Sequence, residues 1–162
     1  MAIRTMGPSG QCDNEPGAAE AALPELLAPA GGLDQMLAAI AAGVKPAQAR
    51  IDGIGARVSA HGFTDDEFLR GCAVAHAHGV RVYVTLNVFV FDDELADAVA
   101  LGAHAHELGA DALIVADAGL ACALRAVIPG VEIHLSTQTG VHSEGAVRLA
   151  ADELGVERVT TA

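Results

Sequence analysis

The sequence is short of basic residues, of paired cysteines and of long apolar runs, and each shortage closes a functional class. Lys and Arg number 9 against 21 Asp and Glu, for a net charge of −12. Phosphate neutralisation needs a basic patch, so this stretch carries no direct nucleic-acid signal, although an RNA substrate held by another part of a protein stays open. Cys12, Cys72 and Cys122 are far apart and form no C-x-x-C pair, so neither a zinc site nor a redox motif is signalled. Cys72 and Cys122 fall in helical stretches and read as small core residues. No apolar run approaches the roughly 18 residues needed to cross a bilayer. Residues 1–22 lack the apolar core of a secretory signal and read as a disordered leader of Gly, Pro, Ser and Ala. One domain over residues 23–162 follows, with the cytoplasm as its default location and no membrane partner.

What the chain does have is apolar content: 52% hydrophobic residues and a mean hydropathy of +0.38. Parallel strands covered on both faces give that composition, because they read as continuous apolar runs. Such runs alternate here with amphipathic helical stretches. Ala42-Gly43-Val44, His78-Gly79-Val80, Leu108-Gly109-Ala110 and Leu154-Gly155-Val156 repeat one signal, a glycine that ends a helix in the left-handed conformation before a strand. Pro129-Gly130-Val131 does the same. The expected strands are Glu25 to Ala28, Val80 to Asn87, Asp111 to Asp117, Val131 to Gln138 and the run from Val156 to Ala162. Thr64 and Glu67 form a capping box, Asp92-Asp93-Glu94 are expected in the first turn of the next helix, and Ala96 to Glu107 continues it. Between Gly43 and Gly55 a further strand is expected, yet Lys45 to Asp52 is polar and contains Pro46. Either that strand is short and irregular or the sequence is damaged there.

Strand–helix alternation leaves two architectures, a closed (β/α) barrel or an open doubly wound sheet. Ala28-Pro29-Ala30-Gly31-Gly32 lacks the G-x-G-x-x-G spacing of a phosphate turn, and Pro29 removes an amide donor. The expectation is therefore α/β, a TIM-type (β/α) barrel, incomplete at about the first five to six βα units and cut at the sixth strand. Active-site groups of such a barrel lie at the C-terminal strand ends. Here those ends carry Pro29 to Gly31, Asn87, Asp117, Ser136-Thr137-Gln138 and His142. Asn87 could bond a substrate carbonyl or simply cap a helix. Asp117 could be a base, or the N-cap of a helix over Leu120 to Val127. Alternation sends some of residues 136–138 away from a pocket. His76 with His78, and His104 with His106, are two apart on helices and point to different faces, unlike an i, i+4 zinc pair. They read as solvent-side residues, and no metal site is expected. His134 and Ser136 share a strand face. No Ser/His/Asp elbow and no H-E-x-x-H is present.

Several segments together resemble the collagenase-like peptidase family, the U-32 class. They are Glu25 to Gly31, Gly55-Ala56-Arg57, Tyr83 to Asn87 with Phe91 to Leu95, Asp111 to Val115, and His134 to Gln138 with Val141-His142. They occur in family order from about Glu25 to the end of the chain. The resemblance implies a barrel in a longer protein, with an Arg-Glu-Leu segment and a cysteine-rich signature beyond the sixth strand. Arg57, Asn87, Asp117, Ser136, Gln138 and His142 are the candidate substrate-binding residues; no catalytic residue is assigned. Where members bind an iron–sulfur cluster, the later cysteines hold it, so no cofactor is expected in this segment and a cluster only in a full-length protein. Two departures stand out: Gln48 to Asp52 where the family has an apolar strand with Tyr, and Gly140 where it often has Asn.

The resemblance implies a peptidase acting on proteins or peptides, of unassigned catalytic type. Two alternatives remain: part of an iron–sulfur-dependent, oxygen-independent hydroxylase of RNA or a quinone precursor, or a non-catalytic truncated product. A chain ending inside a barrel is expected to self-associate through its open edges.

Overall fold

The computed structural model describes residues 25–49 and 62–161. Six strands and five α-helices alternate along them. They are β1 Ala28–Ala30, α1 Leu33–Ala41, β2 Pro46–Ala49, α2 Asp65–Ala77, β3 Arg81–Leu86, α3 Leu95–Glu107, β4 Ala112–Val115, α4 Ala118–Val127, β5 Glu132–Leu135, α5 Glu144–Asp152 and β6 Arg158–Val159. A short 3-10 turn over Thr137–Thr139 follows β5. All neighbouring pairs are parallel and the spatial order is the chain order, β1 through β6. A doubly wound sheet reverses direction at a switch point, and this one does not. Unreversed parallel order is that of an incomplete (β/α) barrel.

Local chemistry explains the elements. Gly43, Gly79, Gly109, Gly130 and Gly155 all have positive φ, as their helix-stop pattern requires. The Thr64–Glu67 capping box forms in both directions. The doubtful second strand exists. Pro46 opens it, a position where the missing N–H interrupts no ladder bond. Ala47, Gln48 and Ala49 then pair with Val82, Tyr83 and Val84.

The structure corrects four expectations. β1 begins at Ala28 rather than Glu25, so Pro29 lies within the strand, tolerated because among the described residues β1 pairs on one side only. Asp92 and Asp93 lie in a turn before α3, and Glu94 is its N-cap, folding back to accept the Phe91 N–H at 3.1 Å. β6 is confined to Arg158–Val159. Cys122 is exposed, on the side of α4 away from the buried Leu120, Ala121 and Leu124.

Two apolar bodies result. The larger lies between sheet and helices, with Val82, Val84, Leu86, Leu113, Val115, Ile133 and Leu135 facing Met36, Phe68, Leu120 and Leu124. The smaller, Tyr83 with Ala112 and Ile114, lies on the opposite sheet face. Helices therefore cover one face, while the other turns toward the barrel interior. None of the described helices is long and apolar enough to cross a membrane.

Candidate functional site

Register places the C-terminal rim. Leu86 pairs with Val115, and Val115 with Leu135, so Asn87, Ala116 and Ser136 follow at one level on adjacent strands. Asn87 is half-buried. Asp117 is the N-cap of α4, its Oδ1 accepting the Leu120 N–H at 2.8 Å. Ser136 is buried, donates its N–H to the Val115 carbonyl at 2.8 Å, and caps the 3-10 turn. Its Oγ accepts the Gln138 N–H at 3.4 Å. Gln138 and His142 are exposed, and His142 Nδ1 donates to the Gly140 carbonyl at 2.7 Å. Gly140 is left-handed with φ 74°, a conformation that asparagine also tolerates, so the residue that departs from the family pattern preserves the turn. The rim thus gathers Asn87, Asp117, Ser136 and Gln138 on consecutive strand ends, with no bond from side chain to side chain joining them among the described residues. Arg57 lies outside the described residues.

Sequence reasoning missed two features. The Thr139 hydroxyl, in the turn beside Gln138, is buried without a hydrogen-bond partner. At the opposite, N-terminal ends of the strands, a charged cage fills the interior. Arg81, first in β3, pairs with Glu132, first in β5, through two bonds of 3.2 and 2.5 Å. Glu132 also accepts from His134 Nε2 at 2.7 Å. Arg158, first in β6, pairs with Glu25 at 2.6 Å. The Tyr83 ring is completely buried, with the Arg81 and Arg158 guanidiniums over it at 5.2 and 5.5 Å and His134 edge-on at 4.7 Å. The signal was a polar residue at every second position, Arg81/Tyr83 and Glu132/His134, within otherwise apolar strands.

The cage sets its own ionisation. Burial pushes the Glu132 carboxyl up, but the bonds from Arg81 and His134 together outweigh it and hold it below its usual range. Burial holds His134 below its usual value, against the opposing bond to Glu132. It is therefore neutral, with Nε2 carrying the proton.

The family comparison matches Peptidase family U32 over residues 31–162. The chain belongs to that family. This U32 chain is 36% identical over 142 residues to a tRNA hydroxylation protein P1 of Bacillus subtilis, covering 86% of the chain and 33% of the relative. It is 30% identical over 147 residues to a collagenase of Porphyromonas gingivalis, covering 85% of the chain and 35% of the relative. The chain spans about a third of the length of these curated relatives. The solved U32 peptidase Mk0906 superposes with a TM-score of 0.63 at 13% identity, covering 96% of this chain and 64% of that one, which shows the shared barrel-type fold.

Neither peptidase machinery nor a cluster site is assembled by the described residues of the U32 chain. Each of the six described histidines bonds to a carboxylate or a main-chain carbonyl: His76 to Asp111, His104 to Asp65, His134 to Glu132, and His78, His106 and His142 to carbonyls. None bonds to a hydroxyl or thiol. His76 and His78 are exposed, as expected, whereas His104 and His106 on α3 are half-buried; His76 and His104 also tie helices to their neighbours. The Cys72 thiol is buried and pushed up to about 12, chiefly by burial and then by Asp111. It is a core atom, not a nucleophile. No group of three metal-binding side chains occurs among the described residues. Buried Cys72 on α2 and exposed Cys122 on α4 do not fit a shared iron–sulfur cluster.

Proposed function

We propose that this U32 chain belongs to a protein that hydroxylates RNA in the cytoplasm, and that its C-terminal rim receives the base to be modified. The supporting observation is the histidine set. A serine or cysteine peptidase of the Ser-His or Cys-His kind uses an imidazole bonded to its nucleophile. Here every described imidazole is bonded elsewhere. The relative named for tRNA hydroxylation is also more similar than the one named for collagenase.

Asn87, Gln138 and the orphan Thr139 hydroxyl offer amide and hydroxyl groups of the kind that read a base edge. With a net charge of −12 on this stretch, the RNA backbone would be held by other parts of the whole protein. An iron–sulfur cluster, if the reaction uses one, would be ligated outside the described residues.

The test is nucleoside mass spectrometry of total RNA from a strain lacking the full-length gene, beside a gelatin and casein assay of the purified full-length protein. Loss of a hydroxylated nucleoside, restored by the gene, with no proteolysis supports the proposal. Proteolysis with unchanged RNA refutes it.

A further inference from the structure

The interior cage is a second place where chemistry is concentrated, at the end of the barrel opposite the rim. Ion pairs alone would make it a structural plug. One detail does not fit a plug: the Tyr83 hydroxyl is buried with no hydrogen-bond partner. A buried donor without a partner is destabilising, because it has given up water and gained nothing in return. The ring that carries this hydroxyl has the Arg81 and Arg158 guanidiniums 5.2 and 5.5 Å from its centroid, so charged groups surround it.

Donors exceed acceptors there. Among the described residues, Arg81 uses two N–H groups on Glu132, and Arg158 makes a single bond to Glu25. Each guanidinium carries more N–H groups than its glutamate consumes. The Glu132 oxygens are already taken by Arg81 and His134. Among the described residues, the groups left without a partner are therefore the Tyr83 O–H and the remaining guanidinium N–H groups. The arginine side chains are 43% and 38% exposed, so the guanidiniums themselves meet solvent while the Tyr83 hydroxyl lies beneath them.

We propose that the N-terminal mouth of this barrel binds a small oxyanion, a carboxylate or a phosphate, held by the Tyr83 hydroxyl and the free N–H groups of Arg158 and Arg81. Guanidinium forks suit such a ligand because they bond oxyanions bidentately. Glu25 and Glu132 hold the forks in place and keep the empty cage near neutrality. The inference does not depend on RNA hydroxylation, since it concerns the other end of the strands.

Binding would be read by isothermal titration calorimetry of the full-length protein. Inorganic phosphate and acetate would be titrated in separate arms at constant ionic strength, with sodium chloride as the control. The expected result is a saturable change with one of the two that chloride does not produce, and at least a tenfold weaker apparent affinity in Arg158→Gln. Saturation by phosphate alone assigns the phosphate class; saturation by acetate alone assigns carboxylates. No saturable change with either, or an unaltered affinity in Arg158→Gln, overturns the proposal.

A second variant guards against misfolding. Tyr83→Phe keeps the ring beneath the guanidiniums and removes only the orphan. It should melt no lower than the parent without ligand, and calorimetry should find its binding of the active anion weakened several-fold. Equal binding would remove the hydroxyl from the site and overturn the proposal as stated.

Discussion

Glu25, just ahead of β1, is ion-paired at 2.6 Å with Arg158, the first residue of β6. In a flat six-stranded sheet those two positions would sit at opposite edges. Their contact means that the sheet curls until its first and last strands face each other across the interior, as a barrel requires.

Both partners are more than a third exposed, so the pair contributes only ~0–1 kcal/mol. Its larger effect is on geometry. Arg158→Gln should lower global stability by less than about 1 kcal/mol while accelerating amide exchange at residues 25–27, and high salt should mimic it. Unchanged exchange there would mean that the pair does not fasten the two ends of the sheet.

Acid should weaken this protein through His134. Its folded value lies below the usual 6.5, so the unfolded chain binds the proton more readily. The contribution is fully present above pH 6.5 and is lost as pH falls from there through the folded value. Glu132, also held low, acts in the same direction further into acid. Urea midpoints measured from about pH 8 to about pH 5 should fall, and fall less in His134→Gln. Parallel pH profiles for the two proteins would contradict the assignment.

Helix α3 meets the sheet and α4 through a glycine. A Cβ on Gly102 would stand 2.5 Å from Leu124 Cδ2, with Leu86 and Leu113 also close, at 3.2 and 3.3 Å. Gly102→Ala should therefore destabilise by about 1–3 kcal/mol despite alanine's better helix propensity. A thermal melt checks it, and a higher melting point would show that the core yields more easily than its packing implies.

β1 pairs only with β2, and β6 only with β5, so each leaves one edge unpaired among the described residues. Such edges invite association. The isolated 162-residue chain should elute above monomer size or aggregate in gel filtration with light scattering. A sharp monomer with a cooperative melt would contradict open edges.

Much of the fold was legible because helix stops are a local affair: Gly43, Gly79, Gly109, Gly130 and Gly155 adopt the positive φ that their pattern demands. The second strand was not legible. Gln48 and Pro46 argue against a strand when read alone, and register with β3 supplies the reason for it. The rim was found from strand ends, but its details were not. Asp117 read equally as a base or as an N-cap, and only the bond from Leu120 N–H shows that it caps α4. The cage was missed because Arg81, Glu132 and Arg158 open their strands, where charged residues ordinarily meet solvent. Only curvature turns them inward.

The central claim is that the C-terminal rim serves RNA hydroxylation. The most direct measurement is nucleoside mass spectrometry of RNA from a strain whose full-length gene carries Asn87→Ala, Gln138→Ala and His142→Ala together. Asn87 is half-buried and the other two are exposed, so the protein should fold and accumulate normally. The account predicts that the hydroxylated nucleoside falls by at least roughly tenfold, the loss of about 1.4 kcal/mol or more of transition-state stabilisation. Full hydroxylation with all three replaced would contradict it.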